Sequence, residues 1–493
     1  MTATAHYLAF DLGASSGRAM LGVFDGARLT LEEVHRFANG PVRIHGHLYW
    51  DALRLFDELK AGIAACTQRG VHLDAIGIDT WGVDFGLLAR GGELLAMPRH
   101  YRDPRNQGVM ERVFQTVPRA EIYQRTGIQF LPFNSLYQLV ALQSAAPTML
   151  DAAERLLFMP DLFAYWLTGT LGTERTIAST SQMLDPRAGA WDVELLRCLG
   201  LPAHILPAIA ATATPAGPLL ADVSDEVGQA GTPVIRCAGH DTAAAVAAVP
   251  AQGDDWAYIS SGTWSLVGVE LPAPRITPET RGADFTNEAG VAGTTRFLRN
   301  VTGLWLVQEC QRAWDAAGQD YSWEELARLA EGAPPFVAFV DPDDPRFAEP
   351  GDMPARIRAA CSETGQPVPD GPGPMVRCAL ESLALKCRHV LDTLERITGR
   401  RIGVLHIVGG GVRNALLNQF IADATGKPVR AGPAEATAAG NVMVQALAQG
   451  RVSSLAELRG VIRASTPVTN YDPRNCASWD DAYGRFRASV AGT

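Results

Sequence analysis

Apolar positions along the chain recur with two different periods. Residues 7–11 form a short apolar run, residues 12–18 are small and polar, and residues 19–24 are apolar again. Asp25 and Gly26 follow, a pair that favours the positive φ angles of a tight hairpin turn, and residues 29–37 supply a third run. This pattern predicts three antiparallel strands near the N-terminus. Residues 51–68 switch to helical spacing, and residues 75–80 predict a buried strand. Residues 85–89 and 93–97 flank Gly91 and Gly92 and predict a hairpin. Farther on, strands are expected at 255–259 and 264–270, on either side of Ser260, Ser261, Gly262 and Thr263. Residues 401–408 predict another strand, followed by Gly409, Gly410 and Gly411. Helices are expected at 414–425, where Leu416, Leu417, Phe420 and Ile421 share a face, and in the alanine-rich stretch 434–449. Residues 333–374 are rich in Pro, Gly and Asp and predict surface loops around a short helix at 354–363.

The order strand, polar glycine turn, strand therefore occurs twice, once in each half of the chain. With 493 residues the chain is too long for one core. Two domains with related cores are expected, 1–250 and 251–493, with the break at the small, polar stretch Pro250, Ala251, Gln252 and Gly253. Each would offer its turn to a shared cleft.

Composition narrows the function. Hydrophobic residues make up 47% and charged residues 19%, which is ordinary for a globular protein and excludes a disordered chain. The net charge of −10 argues against broad binding to nucleic acid or to an anionic membrane surface. No apolar stretch is long enough for a membrane helix, and residues 1–6 lack the features of a signal peptide, so a cytoplasmic protein is expected. Lysine occurs only at Lys60, Lys386 and Lys427, and the pattern G-x-x-x-x-G-K-[ST] is absent. Any ATP would be held by another architecture. The eight cysteines include no C-x-x-C pair and no zinc-type spacing. Reduced, buried thiols are expected, with a Cys361–Cys378 bridge kept open.

Five stretches could carry chemistry. In the first, Gly13 and Gly17 permit a tight turn, while Ala14, Ser15, Ser16 and Arg18 offer N–H groups, hydroxyls and a cation to an anion. Asp11 ends the preceding apolar strand, where a carboxylate could hold hydrated Mg²⁺. The same residues also suit a polar hairpin capped by Asp11. The second stretch is Ser260 to Thr263, with hydroxyls suited to phosphate or to an ordinary turn. The third is Gly409 to Gly411, where bare backbone could admit a flat ring or simply enter a helix. In the fourth, Gly239, His240, Asp241 and Thr242 precede an alanine-rich helix. Asp241 is either the N-cap of that helix or an unblocked carboxylate able to accept a hydroxyl proton. In the fifth, Trp81, Gly82 and Asp84 interrupt a buried strand. Trp81 could stack on a sugar and Asp84 could accept from its hydroxyls, or both could be structural.

Taken together, these stretches resemble the FGGY carbohydrate kinases. The resemblance is carried by AFDLGASSGR, AIGIDTWGVDFGLL, YRDPR, IYQRTGIQFLPFNSLYQL, MPDLFAYWLTG, GHDTAAAV, YISSGTWSLVG, TNEAG, LRNVTGLWLVQ and LHIVGGGVRNALLNQFIADATG, in that order over most of the chain. It implies an α/β, two-domain fold of the actin/hexokinase-like ATPase (ribonuclease H-like) type with an interdomain cleft. It implies ATP-dependent phosphorylation of a small ketose, with Mg²⁺ as cofactor, by a monomer or small homo-oligomer. Ala14, Ser15, Ser16, Gly17, Arg18, Thr263, Gln308 and Gly410 would contact ATP, with Asp11 near Mg²⁺ through water. Gly82, His240, Asp241, Thr242 and Asn300 would line the sugar site, and Asp241 would be the catalytic base. The rival classes are a related kinase for another ketose or polyol, and an actin-like ATPase that works as a switch.

Overall fold

The computed structural model describes residues 4–490, so the first part of the leading segment considered above lies outside the described residues. The expected three-strand meander forms β1 (Ala5–Leu12), β2 (Ser16–Phe24) and β3 (Leu29–Ala38). The first turn is tighter than the polar pattern suggested, because β2 already begins at Ser16 and the Gly13 N–H bonds the Ser16 carbonyl at 2.9 Å. The helix Ala52–Gln68 follows, capped by the Asp51 side chain on the Arg54 N–H. Its face of Leu55, Leu59, Ile63 and Cys66 is fully buried in a core that also contains Leu8, Phe10, Ile76 and Ile78.

β4 (Ala75–Thr80) lies parallel to β1, and β5 (Thr214–Pro218) and β6 (Pro233–Arg236) complete the sheet in the order β5-β6-β4-β1-β2-β3. Residues 85–88 form a strand, as expected, but its partner is Arg155–Phe158. The expected hairpin to 93–97 is reduced to one bridge between Leu88 and Leu94.

The second half repeats this topology. β7 (Trp256–Ser261), β8 (Trp264–Leu271), β9 (Thr295–Thr302), β10 (Val404–Val408), β11 (Val429–Ala431) and β12 (Thr469–Tyr471) take the order β9-β8-β7-β10-β11-β12, with Thr286–Ala289 as a seventh strand beyond β9. Pairing directions match as well: β7 is antiparallel to β8 and parallel to β10, β10 is parallel to β11, and β11 is antiparallel to β12.

The chain separates into two compact units. The first runs to Pro250 and takes in Glu270–Phe297 and Ala436–Thr466; the second comprises Ala251–Val269, Leu298–Glu435 and the segment from Pro467 onward. Residues 251–493 are thus not one unit, because two of their segments pack with the first. The alanine-rich helix Ala436–Ala448 shows why. Its small side chains let it lie against β1 and β4 and against the helix Asp241–Ala247. A Cβ on Gly440 would sit 1.8 Å from the Ala244 carbonyl oxygen, and one on Gly77 in β4 would sit 2.3 Å from the Asn441 side-chain oxygen. A side chain at Gly440 would force the backbones apart, and one at Gly77 would displace the Asn441 and Gln445 amides.

All eight cysteines are free thiols, including Cys361 and Cys378, which interact side chain to side chain. Among the described residues no helix is long and apolar enough to cross a membrane.

Gly440→Ala is expected to destabilise the protein by about 1–3 kcal/mol, because the new methyl collides with backbone and cannot be relieved by a rotamer change. Gly410→Ala, where a Cβ would meet nothing within 4 Å, should leave stability unchanged. Thermal unfolding of the two variants beside wild type checks the contrast; equal midpoints would contradict it.

Candidate active site

In the first unit, β1 and β4 run parallel with Asp11 and Asp79 in register, one residue before each strand ends. The antiparallel partner of Asp11 is Arg18, and the Arg18 guanidinium bonds the Asp11 carboxylate at 2.5 Å. Asp79 is fully buried. Its Oδ2 accepts from the Asn441 amide at 2.6 Å, and its Oδ1 has no hydrogen-bond partner among the described residues. Burial, with the charges of Asp11 and then Asp241 added, pushes the Asp79 carboxyl well above the usual range, against the pull of the Asn441 hydrogen bond. Asp79 was passed over in the sequence as part of a strand. The available signal was an acid near the end of an apolar strand, matching the position of Asp11 on β1.

Asp241 is brought to the same region by β6 and the turn that follows it. The Thr80 N–H bonds the Gly239 carbonyl at 2.9 Å, and Glu174 accepts from the Gly239 N–H at 3.0 Å. The N-cap of the helix is His240, not Asp241, so the capping alternative falls. The Asp241 Oδ1 accepts from the Thr242 N–H and hydroxyl and lies 3.4 Å from His240 Nε2. Its Oδ2 accepts no hydrogen bond among the described residues, and its side chain is 32% exposed. A Cβ on Gly82 would lie 3.3 Å from Thr180 and 3.4 Å from His240 Nε2, which places Gly82 in the wall beside the imidazole. Gly82, His240, Asp241 and Thr242 therefore converge.

Trp81 and Asp84 do not join them as expected. Trp81 is buried, and its ring packs on Trp50 with centroids 3.9 Å apart. Asp84 is 1% exposed. Its Oδ2 accepts from Trp50 Nε1 at 2.6 Å, Trp81 Nε1 at 3.0 Å and the Tyr101 N–H at 3.1 Å, while Oδ1 accepts from Gln138 at 2.8 Å. Enclosed and bound by four protein donors, it fixes the two indoles and does not face a sugar site. The structural reading of the pair holds because Trp50, from an earlier segment, packs on Trp81 and donates to Asp84.

A hydrated cation suits the charge left by the acids. The charges of Asp11 and Asp241 both act on Asp79, and Asp11 is paired with Arg18. Among the described residues, no group of three or more acids, histidines or cysteines could hold a bare ion.

In the second unit, the turn at Gly262 anchors other elements. The Thr263 carbonyl accepts from the Gly303 N–H at 3.0 Å and from the Trp305 N–H at 3.3 Å, fixing the start of the helix Trp305–Ala316, which carries Gln308. The glycine loop after β10 lies against the end of β7: a Cβ on Gly411 would sit 2.0 Å from the Ser261 hydroxyl, which excludes any other residue there. Gly410 is exposed with open space beside it. Asn300 is half-buried on β9. Thr263, Gln308 and Gly410 thus lie on segments that the fold ties together.

Residues 6–247 match the N-terminal domain and residues 257–449 the C-terminal domain of the FGGY family of carbohydrate kinases. The chain is 47% identical to a rhamnulokinase of Bacteroides thetaiotaomicron over 98% of its length and 99% of the relative's. It is 43% identical to a rhamnulokinase of Pectobacterium atrosepticum over 99% of its length and 97% of the relative's. Among solved structures, it resembles gluconate kinase from Lactobacillus acidophilus with a TM-score of 0.82 at 17% identity, covering 100% of this chain and 99% of the other. It also resembles Plasmodium falciparum glycerol kinase with ADP, with a TM-score of 0.81 at 15% identity, covering 99% and 98%. The fold is the two-domain sugar-kinase fold of the actin-like ATPases.

Burial, opposed by its four hydrogen bonds, pushes the Asp84 carboxyl up to about 6. The folded state therefore holds a proton that the unfolded chain has already lost. Asp84 should cost the protein stability as pH rises from about 4 to about 6, and no further above that. The stability difference between wild type and Asp84→Asn, from urea unfolding at several pH values, should shift against wild type across that window. A difference independent of pH would contradict this.

Proposed function

The chain belongs to the FGGY family of carbohydrate kinases, and on that premise we propose that it transfers the γ-phosphoryl group of ATP to O1 of L-rhamnulose, in the cytoplasm. The observation that carries the mechanism is Asp241: partly exposed, freed from capping, with one oxygen held by Thr242 and the other unengaged. The sugar preference is supported by the rhamnulokinases, each matched over nearly the whole chain. A reducing compartment suits eight free thiols.

In this proposal the Asp241 Oδ2 accepts the proton of O1 as the oxygen attacks phosphorus. Gly82, His240, Thr242 and Asn300 orient the ketose. The backbone and hydroxyls of Ala14, Ser15, Ser16 and Gly17, with Arg18, Thr263, Gln308 and Gly410, hold the nucleotide. Phosphoryl transfer demands chiefly positioning and charge neutralisation, which N–H groups and a guanidinium supply. Mg²⁺ would be held by Asp11 through water and, when bound, neutralises phosphate oxygens. Trp81 and Asp84 belong to the buried scaffold behind Gly82.

General-base assistance is worth ~10²–10⁴-fold, so Asp241→Asn should fold normally and lose activity by about that factor. Wild-type turnover in the folded variant would remove the base assignment. The substrate is tested by ADP release with Mg-ATP on L-rhamnulose, L-fuculose, L-xylulose, D-xylulose, D-ribulose and glycerol, against no sugar. Preferred turnover of L-rhamnulose is expected. Preference for another acceptor would move the substrate within the family, and release independent of any sugar would overturn the kinase reaction proposed here.

A further inference from the structure

Behind His240 lies an ion pair that the mechanism above does not use. Arg296 is 0% exposed and Glu288 is 6% exposed, and the guanidinium lies 3.0 Å from the Glu288 carboxylate. An arginine this deep is tolerated only with a counter-charge beside it. Burial alone would raise the Glu288 carboxyl, yet the charge of Arg296, first among the opposing causes, holds it below the ordinary range. The Arg296 Nε donates to the Ala289 carbonyl at 3.0 Å, which fixes the plane of the guanidinium. The Ala289 N–H in turn bonds the Ser179 hydroxyl at 2.9 Å.

The remaining contact is informative. Arg296 Nη2 lies 3.0 Å from His240 Nδ1 in hydrogen-bonding geometry. Nδ1 also lies 3.3 Å from Glu288 Oε2, but that oxygen is in no hydrogen bond among the described residues, whereas the Arg296 contact has hydrogen-bonding geometry; a guanidinium can only donate, so Nδ1 presents its lone pair to it. A neutral imidazole carries one proton, which is then on Nε2. Nε2 lies on the other side of the ring, 3.4 Å from the Asp241 Oδ1 and beside Gly82. The backbone on which the ring hangs is itself held, since the His240 N–H bonds the Thr176 hydroxyl at 3.2 Å.

We infer that Arg296 and Glu288 are positioning residues that lock His240 in its Nε2–H form, with that N–H facing Asp241 and the sugar side at Gly82. The consequence falls on the two oxygens of Asp241. The Thr242 N–H and hydroxyl and the Nε2–H of His240 all present positive charge to Oδ1, leaving Oδ2 as the basic oxygen. The opposite tautomer would turn a lone pair on Oδ1 and weaken that distinction. The effect on catalysis rests on the kinase mechanism proposed above; the tautomer itself does not.

The test is ¹⁵N NMR of the full-length protein labelled at histidine, without ligand, using His240→Asn to identify the His240 signals. Wild type should show Nε2 protonated and Nδ1 unprotonated. Arg296→Met should admit the Nδ1–H form and lower kcat on the sugar by ~10- to 100-fold, the scale of a small misplacement in an active site, with the KM for ATP unchanged. Arg296→Lys, which keeps a donor and a charge, should retain the Nε2–H form and recover most of kcat. An Nδ1–H signal in wild type would overturn the inference, and so would a folded Arg296→Met with unaltered tautomer and kcat. If Arg296→Met does not fold, the wild-type spectrum and Arg296→Lys decide, since both keep the buried charge paired. Absence of turnover on every sugar, with the Nε2–H signal present, would sink the kinase mechanism and leave the tautomer standing.

Discussion

The contact between Gly440 and the carbonyl of Ala244 governs much of the first unit. It lets the helix Ala436–Ala448 press directly on the helix that begins at Asp241, at a distance no side chain would permit. Gly77 in β4 and Gly22 in β2 make the same allowance on the sheet side, where added Cβ atoms would strike Asn441 and Val442. Small residues from distant parts of the sequence thus create one close-packed block. Polar groups can then reach where they would otherwise be out of range. Asn441 donates to Asp79, and Gln445 donates to the Leu8 carbonyl on β1 at 3.0 Å. The placement of Asp241 is a product of this packing as much as of its own helix.

Within that block the acids are sorted by their surroundings. Asp11 is paired with a guanidinium across two strands. Asp79 is sealed in and held by an amide, with its ionised form disfavoured by burial and by its acidic neighbours. Asp84 is buried and held by two indoles, an amide and a backbone N–H. Only Asp241 combines partial exposure with an unengaged oxygen. One residue type serves as ion-pair partner, buried group, scaffold hub and candidate base, and hydrogen-bond supply decides which. The ion pair of Arg296 and Glu288 extends the same logic by one residue, because it acts on His240 and through it on Asp241.

The repeated topology accounts for the paired glycine turns. Each sheet opens with an antiparallel hairpin whose turn is followed by parallel strands, and each turn falls at the same place in its sheet. In the first unit the turn leaves Asp11 facing Arg18; in the second it anchors the helix bearing Gln308. One architecture therefore carries two different sets of side chains, one acidic and one built on glycine and hydroxyls.

The sequence by itself determined what depends on neighbours in the chain. The N-terminal meander, the strand Ala75–Thr80, the doubled strand-turn-strand pattern and the helix capped by Asn414 follow from local periodicity and turn residues. It also marked Asp241 and His240, because an acid before an alanine-rich helix is visible as a motif. Tertiary structure decided what depends on neighbours in space. It withdrew Asp84 and Trp81 into the interior, since Trp50 and Gln138 lie in other segments and only folding brings their donors to Asp84. It returned Ala436–Thr466 to the first unit, because the alanine helix packs on residues hundreds of positions away, and Glu270–Phe297, whose Arg296 and Ala289 bond His240 and Ser179. It set Asp79 beside Asp11 and Arg296 behind His240. Register and burial have no local signature, and they determine which carboxylate keeps a free oxygen.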